Sequence, residues 1–243
     1  MIDLKREQRR AISVIVPHAG YEYSGPVAGA VFSSVQIPKY LVILGPNHRH
    51  VMSRFAIMSE GSWQTPLGDV PINTQLAEAI TNRSGLVKDD SGAHEQEHSL
   101  EVQLPFIQYI RNDISIVPIT IAYQTSYEEL EELGHAIADA IQAQDEDILI
   151  VASTDMSHYV SQREAVAKDS LAMDEIDRLH ARGLYEIVSQ ENISMCGYQP
   201  TTSTIVASKK LGATQAELIK YQTSGEVTKN FHEVVGYAGY RIF

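Results

Sequence analysis

The sequence predicts an α/β protein: a three-layer α/β/α sandwich around a central mixed sheet. Two observations carry that expectation. Short, continuous apolar runs recur along the chain, and each is followed by a longer stretch with helical spacing. Runs of Val, Ile and Leu without polar alternation suit strands buried on both faces, as in a sheet covered by helices.

The elements follow in order. Ile12–Pro17 (ISVIVP) reads as the first strand, Pro26–Val35 as a helix and Tyr40–Gly45 (YLVILG) as the second strand. Phe55–Ser59 and the stretch from Trp63 to Gly68 read as a small β excursion, followed by helical patterns over Gln75–Ser84 and Ser99–Ile110. Ile114–Ala122 is the third apolar run, in which Pro118 predicts an edge position or a bulge. Tyr127–Ala143 reads as a helix and Asp147–Ala152 as the fourth strand. Helical patterns then cover Arg163–His180, with a break near Gly183, and Thr202–Leu211. Two strands, Ala216–Tyr221 and Val234–Phe243, close the order. With no linker, repeat or low-complexity tract, one domain over 1–243 is expected.

Composition narrows the function classes. The 44% hydrophobic content is ordinary for a soluble protein, and 243 residues bury a core without a structural metal. Cys196 is the lone cysteine, so no intrachain disulfide forms, which suits a reducing compartment. MIDLKREQRRA lacks the apolar stretch of a signal sequence, and the expected location is cytoplasmic. A net charge of −12 with scattered basic residues argues against nucleic acid and anionic membrane as partners.

Four histidines share an address. His18 follows the first strand, His48 the second and His158 the fourth, while His98 lies in a polar loop. In open α/β sheets ligands bind beyond the carboxyl ends of the strands. One histidine alone reads best as a satisfied surface or core residue. Three of nine falling just after strand ends suggest a site. Asp155, three residues before His158, is placed to orient an imidazole or touch a metal. Cys196 precedes a helix, where a thiol can become a nucleophile or ligand, against the simpler reading of a small buried residue. His94-Glu95-Gln96-Glu97-His98 matches the zinc-peptidase pattern H-E-x-x-H, but its turn-rich lead-in and a helix start at Ser99 make the match accidental. Tyr21, Tyr23, Trp63 and Tyr198 read as packing residues. No G-x-S-x-G, P-loop or G-x-G-x-x-G pattern is present.

PHAGYEYSG, ILGPNH, HEQEHSLEVQLPF, STDMSHY, CGYQPTT and VVGYAGYRIF resemble, in order, the blocks of MEMO proteins, whose prokaryotic members are labelled AmmeMemoRadiSam system protein B. The resemblance runs from residue 17 to the C-terminus. It implies a fold like that of class III extradiol dioxygenases, which use non-haem iron(II). It implies metal ligation by His48 and His98 and matches Asp155 and His158 to an acid/base block; with His18, placed by its strand end, these are the candidate catalytic residues. Vertebrate members use a cysteine as third ligand, in a segment that aligns with Tyr221–Lys229. Val227 stands at that position and cannot bind metal, so its neighbour Glu226 is the expected third ligand if Ser224-Gly225 makes a turn. Iron(II) is the first choice of ion, with zinc or copper as alternatives.

Three functions follow as expectations. One is a metal-binding oxidoreductase or dioxygenase acting on a small molecule. Another is a non-catalytic protein that binds a peptide or protein in the same groove, beside radical SAM and AMMECR-type partners. The most distant is a zinc peptidase using His94, Glu95 and His98.

Overall fold

A computed structural model describes residues 2–3, 7–49 and 53–243. Residues 1 and 4–6 of the segment read for a signal sequence lie outside the described residues. The strands are β1 (Ser13–Val16), β2 (Tyr40–Pro46), β3 (Phe55–Ile57), β4 (Ser62–Thr65), β5 (Gly68–Pro71), β6 (Val87–Asp89), β7 (Ser115–Ile121), β8 (Ile148–Ser153), β9 (His158–Val160), β10 (Ala216–Thr223) and β11 (Val234–Ile242). The helices are α1 (Tyr21–Phe32), α2 (Thr74–Thr81), α3 (Leu104–Ile110), α4 (Tyr127–Gln142), α5 (Gln162–Asp177), α6 (Ala181–Gln190), α7 (Tyr198–Lys210) and the single turn α8 (Gly225–Thr228).

The main sheet runs β10-β11-β1-β8-β2-β7-β3-β6, with β9 attached to β11, while β4 and β5 form a separate hairpin. Its centre is parallel: β1 pairs with β8, β8 with β2 and β2 with β7. Antiparallel β11 on one flank and β3 on the other make the sheet mixed, as expected.

Side-chain alternation builds the layers. Val14, Val16, Leu41, Ile43, Leu149 and Val151 face α1 and α3, packing on Ala28, Val31, Phe32, Leu104 and Ile107. Val42, Leu44 and Ile150 point the opposite way, onto Leu76 and Ile80 of α2 and Leu130, Leu133 and Ile137 of α4. Ile15 and Ala152 join that second face and meet α5, α6 and α7 through Ala172, Ile176, Leu184 and Ile205. Both faces of the parallel strands are therefore dry, which is why their sequences read as unbroken apolar runs.

Several boundaries differ from expectation for identifiable reasons. Pro118 is in β7, an interior strand flanked by β2 and β3, and neither at the sheet edge nor in a bulge. Its carbonyl accepts from Met58 N at 3.4 Å, but with no N–H it cannot return the bond to Met58 O that an antiparallel pair would make, and β3 ends at Ile57. The missing N–H thus costs one bond, at the end of the β3–β7 ladder and not in its middle. Helix α1 starts at Tyr21, five residues before the expected Pro26, which lies inside it. The 99–110 segment is a 3₁₀ turn at Glu101–Gln103 leading into α3, and Ser99 bonds to the Pro46 carbonyl instead of capping a helix. The expected break near Gly183 falls earlier, between Asp177 and Ala181, and the chain resumes as α6.

Helix α7 begins at Tyr198, not Thr202, and is buried from Gln199 to Ser208 despite its hydroxyl-rich sequence. Thr201, Thr202 and Ser208 donate back to carbonyls one turn earlier, and Ser203 donates to Leu130 O at 2.9 Å. Satisfied hydroxyls of this kind let a polar helix enter a core without an apolar stripe.

Helix α4 carries a reciprocal N-terminal cap, Ser126 accepting from Glu129 N while the Glu129 carboxylate accepts from Ser126 N. Ser126→Ala should lower unfolding stability by about 1 kcal/mol in urea titrations, with metal binding unchanged.

Candidate metal centre

Three neighbouring parallel strands deliver three of the expected residues to one edge. His18 is two residues past β1, Asp155 two past β8 and His48 two past β2, and these strands lie in the order β1-β8-β2. Strands spaced ~4.8 Å apart bring such residues within reach of one another. After β1 the chain leaves onto one face as α1, whereas after β8 it leads to α5–α7 on the other. Diverging exits of this kind open a crevice at the carboxyl edge. His98 reaches the same place from its loop: its ring centroid lies 5.0 Å from His48 and 5.6 Å from His18, with His18 and His48 5.4 Å apart.

Two buried carboxylates fix these rings. Glu97 is 3% exposed and accepts from His48 N at 2.6 Å, His48 Nδ1 at 2.9 Å and Ser99 N at 2.9 Å. Burial alone would raise its pKa, but the His48 ring and the two backbone N–H groups outweigh that and hold it at about 2. With Nδ1 of His48 engaged, Nε2 is the nitrogen left for a ligand. Asp155 accepts from the amides of His18 and Ala19 at 2.8 and 3.3 Å, pinning the first loop. His18 Nδ1 is paired with Ser153 Oγ at 3.0 Å, which leaves its Nε2 facing Cys196 Sγ at 3.3 Å. Burial, with His48 and His98 adding to it against the pull of Asp155 and Glu97, lowers the His18 pKa to about 4 and keeps the ring neutral.

Cys196 arrives from the loop ahead of α7, held by a bond from Asp155 N to its sulfur at 3.3 Å. Gly197 permits that approach: a Cβ there would sit 2.4 Å from Ser153 O and 2.5 Å from Thr154 Cβ. The helix terminus does not lower the thiol pKa. Burial, reinforced by Asp155, pushes it well up.

Donor atoms of His18, His48 and Cys196 lie within 4.8 Å of one another, as do those of His48, Glu97 and His98, and of Asp155, His158 and Cys196. Bonds of about 2.0 Å to nitrogen and 2.3 Å to sulfur place tetrahedral donors roughly 3.3–3.8 Å apart, so the first set fits an ion with little adjustment. Both of its imidazoles are already held at Nδ1, as metal-binding histidines are. Glu97, which spends its oxygens on three hydrogen bonds, suits the role of orienting His48 better than that of ligand.

Other expectations are redistributed. Among the described residues Glu226 belongs to none of these groups. It is exposed on α8, and β10, which leads into it, stands four strand spacings from β2, ~19 Å across the sheet. Cys196 occupies the place in the cluster that was expected of Glu226. The expected turn at Ser224-Gly225 does form. His158 lies in β9 and its Nδ1 donates to Ser194 O at 2.8 Å, so Ser194 orients it and Asp155 instead holds the His18 loop. His94 ends a 3₁₀ turn at Ser91–His94 and the helix stops before His98, so the peptidase requirement of two histidines on one helical face is not met. Glu97, Ser153 and Ser194 were missed. Only the acidic residue directly before His98 offered a signal, since hydrogen bonds between distant loops leave no local pattern.

Fold and cluster together define an α/β protein with a candidate metal centre at the carboxyl edge of its parallel strands. The chain belongs to the Memo-like protein family, whose model matches residues 2–241. A MEMO1 family protein of Methanothermobacter thermautotrophicus is 46% identical over 95% of this chain and 84% of its own length. One from Methanopyrus kandleri is 44% identical over 93% and 81%, and one from Aquifex aeolicus 40% over 96% and 86%. An uncharacterized protein of Escherichia coli K12 shares the fold with a TM-score of 0.65 at 14% identity, covering 94% of this chain and 99% of that one. No helix of the described residues is long and apolar enough to cross a membrane.

Burial also lowers the His94 pKa to about 4. A histidine with a depressed folded pKa contributes stability above its unfolded value of about 6.5 and loses it as pH falls. The metal-free protein should therefore lose up to about 3 kcal/mol per such histidine between roughly pH 6.5 and 4. His94→Leu should flatten that loss in urea titrations across the range.

Proposed function

We propose that this chain is a metal-dependent protein, with one transition ion held by His18, His48 and Cys196 and with oxidoreductase chemistry on a small molecule. The observation that carries the reading is the pairing of Cys196 Sγ with His18 Nε2 at 3.3 Å, beside a second imidazole fixed by a buried carboxylate. Imidazole and thiolate donors suit iron, copper and zinc, so the thiolate weakens the expectation of iron(II) alone. When bound, such an ion would act as a Lewis acid and, if redox-active, exchange electrons with a substrate.

The protein's own groups divide the remaining work. Glu97 and Ser153 hold the two imidazoles in the tautomer that presents Nε2. His98, with a side chain 52% exposed and stacked on His48, can exchange protons with solvent as a general acid or base. His158 has Nδ1 engaged by Ser194, leaving Nε2 for the same task on the other side of Cys196. A thiol used as a ligand also needs reducing surroundings, which favours a cytoplasmic setting. A binding role in the same crevice is favoured by Tyr123 and Tyr159, 49% and 73% exposed, which offer apolar surface to a peptide or to a radical SAM or AMMECR-type partner.

Anaerobic calorimetry and metal analysis with iron(II), zinc and copper(I) test the reading. His18→Ala, His48→Ala and Cys196→Ala should each lose more than about 100-fold in affinity, and Glu97→Gln about 10–100-fold. Glu226→Gln should bind like wild type. Wild-type affinity in Cys196→Ala would sink the assignment.

A further inference from the structure

Helix α5 carries a carboxylate in its buried stripe. Its inward residues are Ala165, Asp169, Ala172 and Ile176, spaced along one helical face, so Asp169 stands where an apolar side chain is expected. It is fully buried, and no lysine or arginine pairs with it among the described residues. Asp169 Oδ1 instead accepts from Ser157 N at 2.9 Å and Oδ2 from the Tyr221 hydroxyl at 2.8 Å. Gly236 of β11 makes room for it, since a Cβ there would overlap Oδ2. Burial pushes the Asp169 pKa up against the pull of these two hydrogen bonds, so the charge is held here at a cost.

That cost falls beside the candidate metal centre. Ser157 lies in the turn that carries Asp155 and His158, and each amide of the turn is held by a different neighbour. Thr154 N donates to Val16 O at 2.8 Å, Asp155 N to Cys196 Sγ at 3.3 Å, Met156 N to Gly236 O at 2.9 Å and His158 N to Ser194 Oγ at 2.7 Å. Asp169 takes the remaining one and is the charged acceptor among the five, which makes its bond the strongest of them. The carboxylate reaches Cys196 through two residues of backbone, without bonding to the thiol itself.

We propose that Asp169 is a positioning residue for the site. By holding Ser157 N it fixes the Asp155–His158 turn, and through Asp155 N it sets where Cys196 Sγ stands relative to His18 Nε2. Its effect on a bound ion rests on the metal-centre reading above, whereas its effect on the thiol does not.

Cys196 is the sole cysteine, so alkylation by iodoacetamide reads this place alone. In metal-free protein Asp169→Ala should react about tenfold faster as the turn opens locally. Asp169→Asn keeps an oxygen for Ser157 N and should return the rate to within about threefold of wild type. Tyr221→Phe removes a single atom and should raise the rate about threefold, which carries the test if Asp169→Ala does not fold. Zinc affinity should fall about 10–100-fold in Asp169→Ala and recover in Asp169→Asn. Ser126→Ala, destabilised at a distant helix cap, is the control and should change neither readout. Wild-type alkylation in both Asp169→Ala and Tyr221→Phe, an Asp169→Asn rate no slower than that of Asp169→Ala, or an equal change in Ser126→Ala overturns the proposal. If the wild-type protein binds no zinc, the metal-centre reading fails, and the alkylation rates still decide the role of Asp169.

Discussion

Parallel pairing of β1, β8 and β2 is the constraint on which the rest of the molecule depends. It sets the ends of the three strands together at one edge, Val16 opposite Ser153 and Leu44 opposite Ala152, so that the loops leaving them begin as neighbours. The same pairing buries both faces of these strands, which requires helices above and below. Those helices carry the chain away on opposite sides and leave the crevice between them. Fold and site are thus consequences of a single arrangement.

Within the crevice, buried carboxylates convert proximity into geometry. Glu97 is tied to the backbone and the ring of His48 and to the backbone of Ser99, joining the loop after β2 to the segment that carries His98. Asp155 ties the loop after β8 to the loop after β1 in the same manner. Each carboxylate replaces its lost hydration with backbone N–H donors, which lets it be buried without a full counter-charge. Three loops and the Cys196 segment are in this way braced against one another before any ligand arrives, the condition under which a small set of donors can hold an ion tightly.

A cavity next to the cluster has a different character. Its walls come from the β4–β5 hairpin, which stands apart from the main sheet, and from the 3₁₀ segment around His94. Function can diverge by changing that hairpin without disturbing the central strands, since loops and excursions tolerate change that packed strands do not.

The sequence by itself determined the central strands, the alternation of strands and helices around them, and the arrival of His18, His48 and Asp155 just past strand ends, but not the short β6 and β9 or α6. These are local: an apolar run ended by Pro or Gly announces a buried strand, whatever lies elsewhere. Tertiary structure alone decided that β8 lies between β1 and β2, and that Cys196 rather than Glu226 completes the cluster. It also decided that Trp63 and Tyr21, legible only as packing residues, wall one cavity together with His94. Residues 18 and 196 meet across nearly the whole chain, and no periodicity records such a meeting. It is set by strand order and by a glycine at 197 small enough to let a loop close on Ser153. Helix α7 makes the same point: the carbonyls that satisfy Thr201, Thr202, Ser203 and Ser208 are visible only in the fold, because hydrogen-bond satisfaction is a property of neighbours and not of residue type.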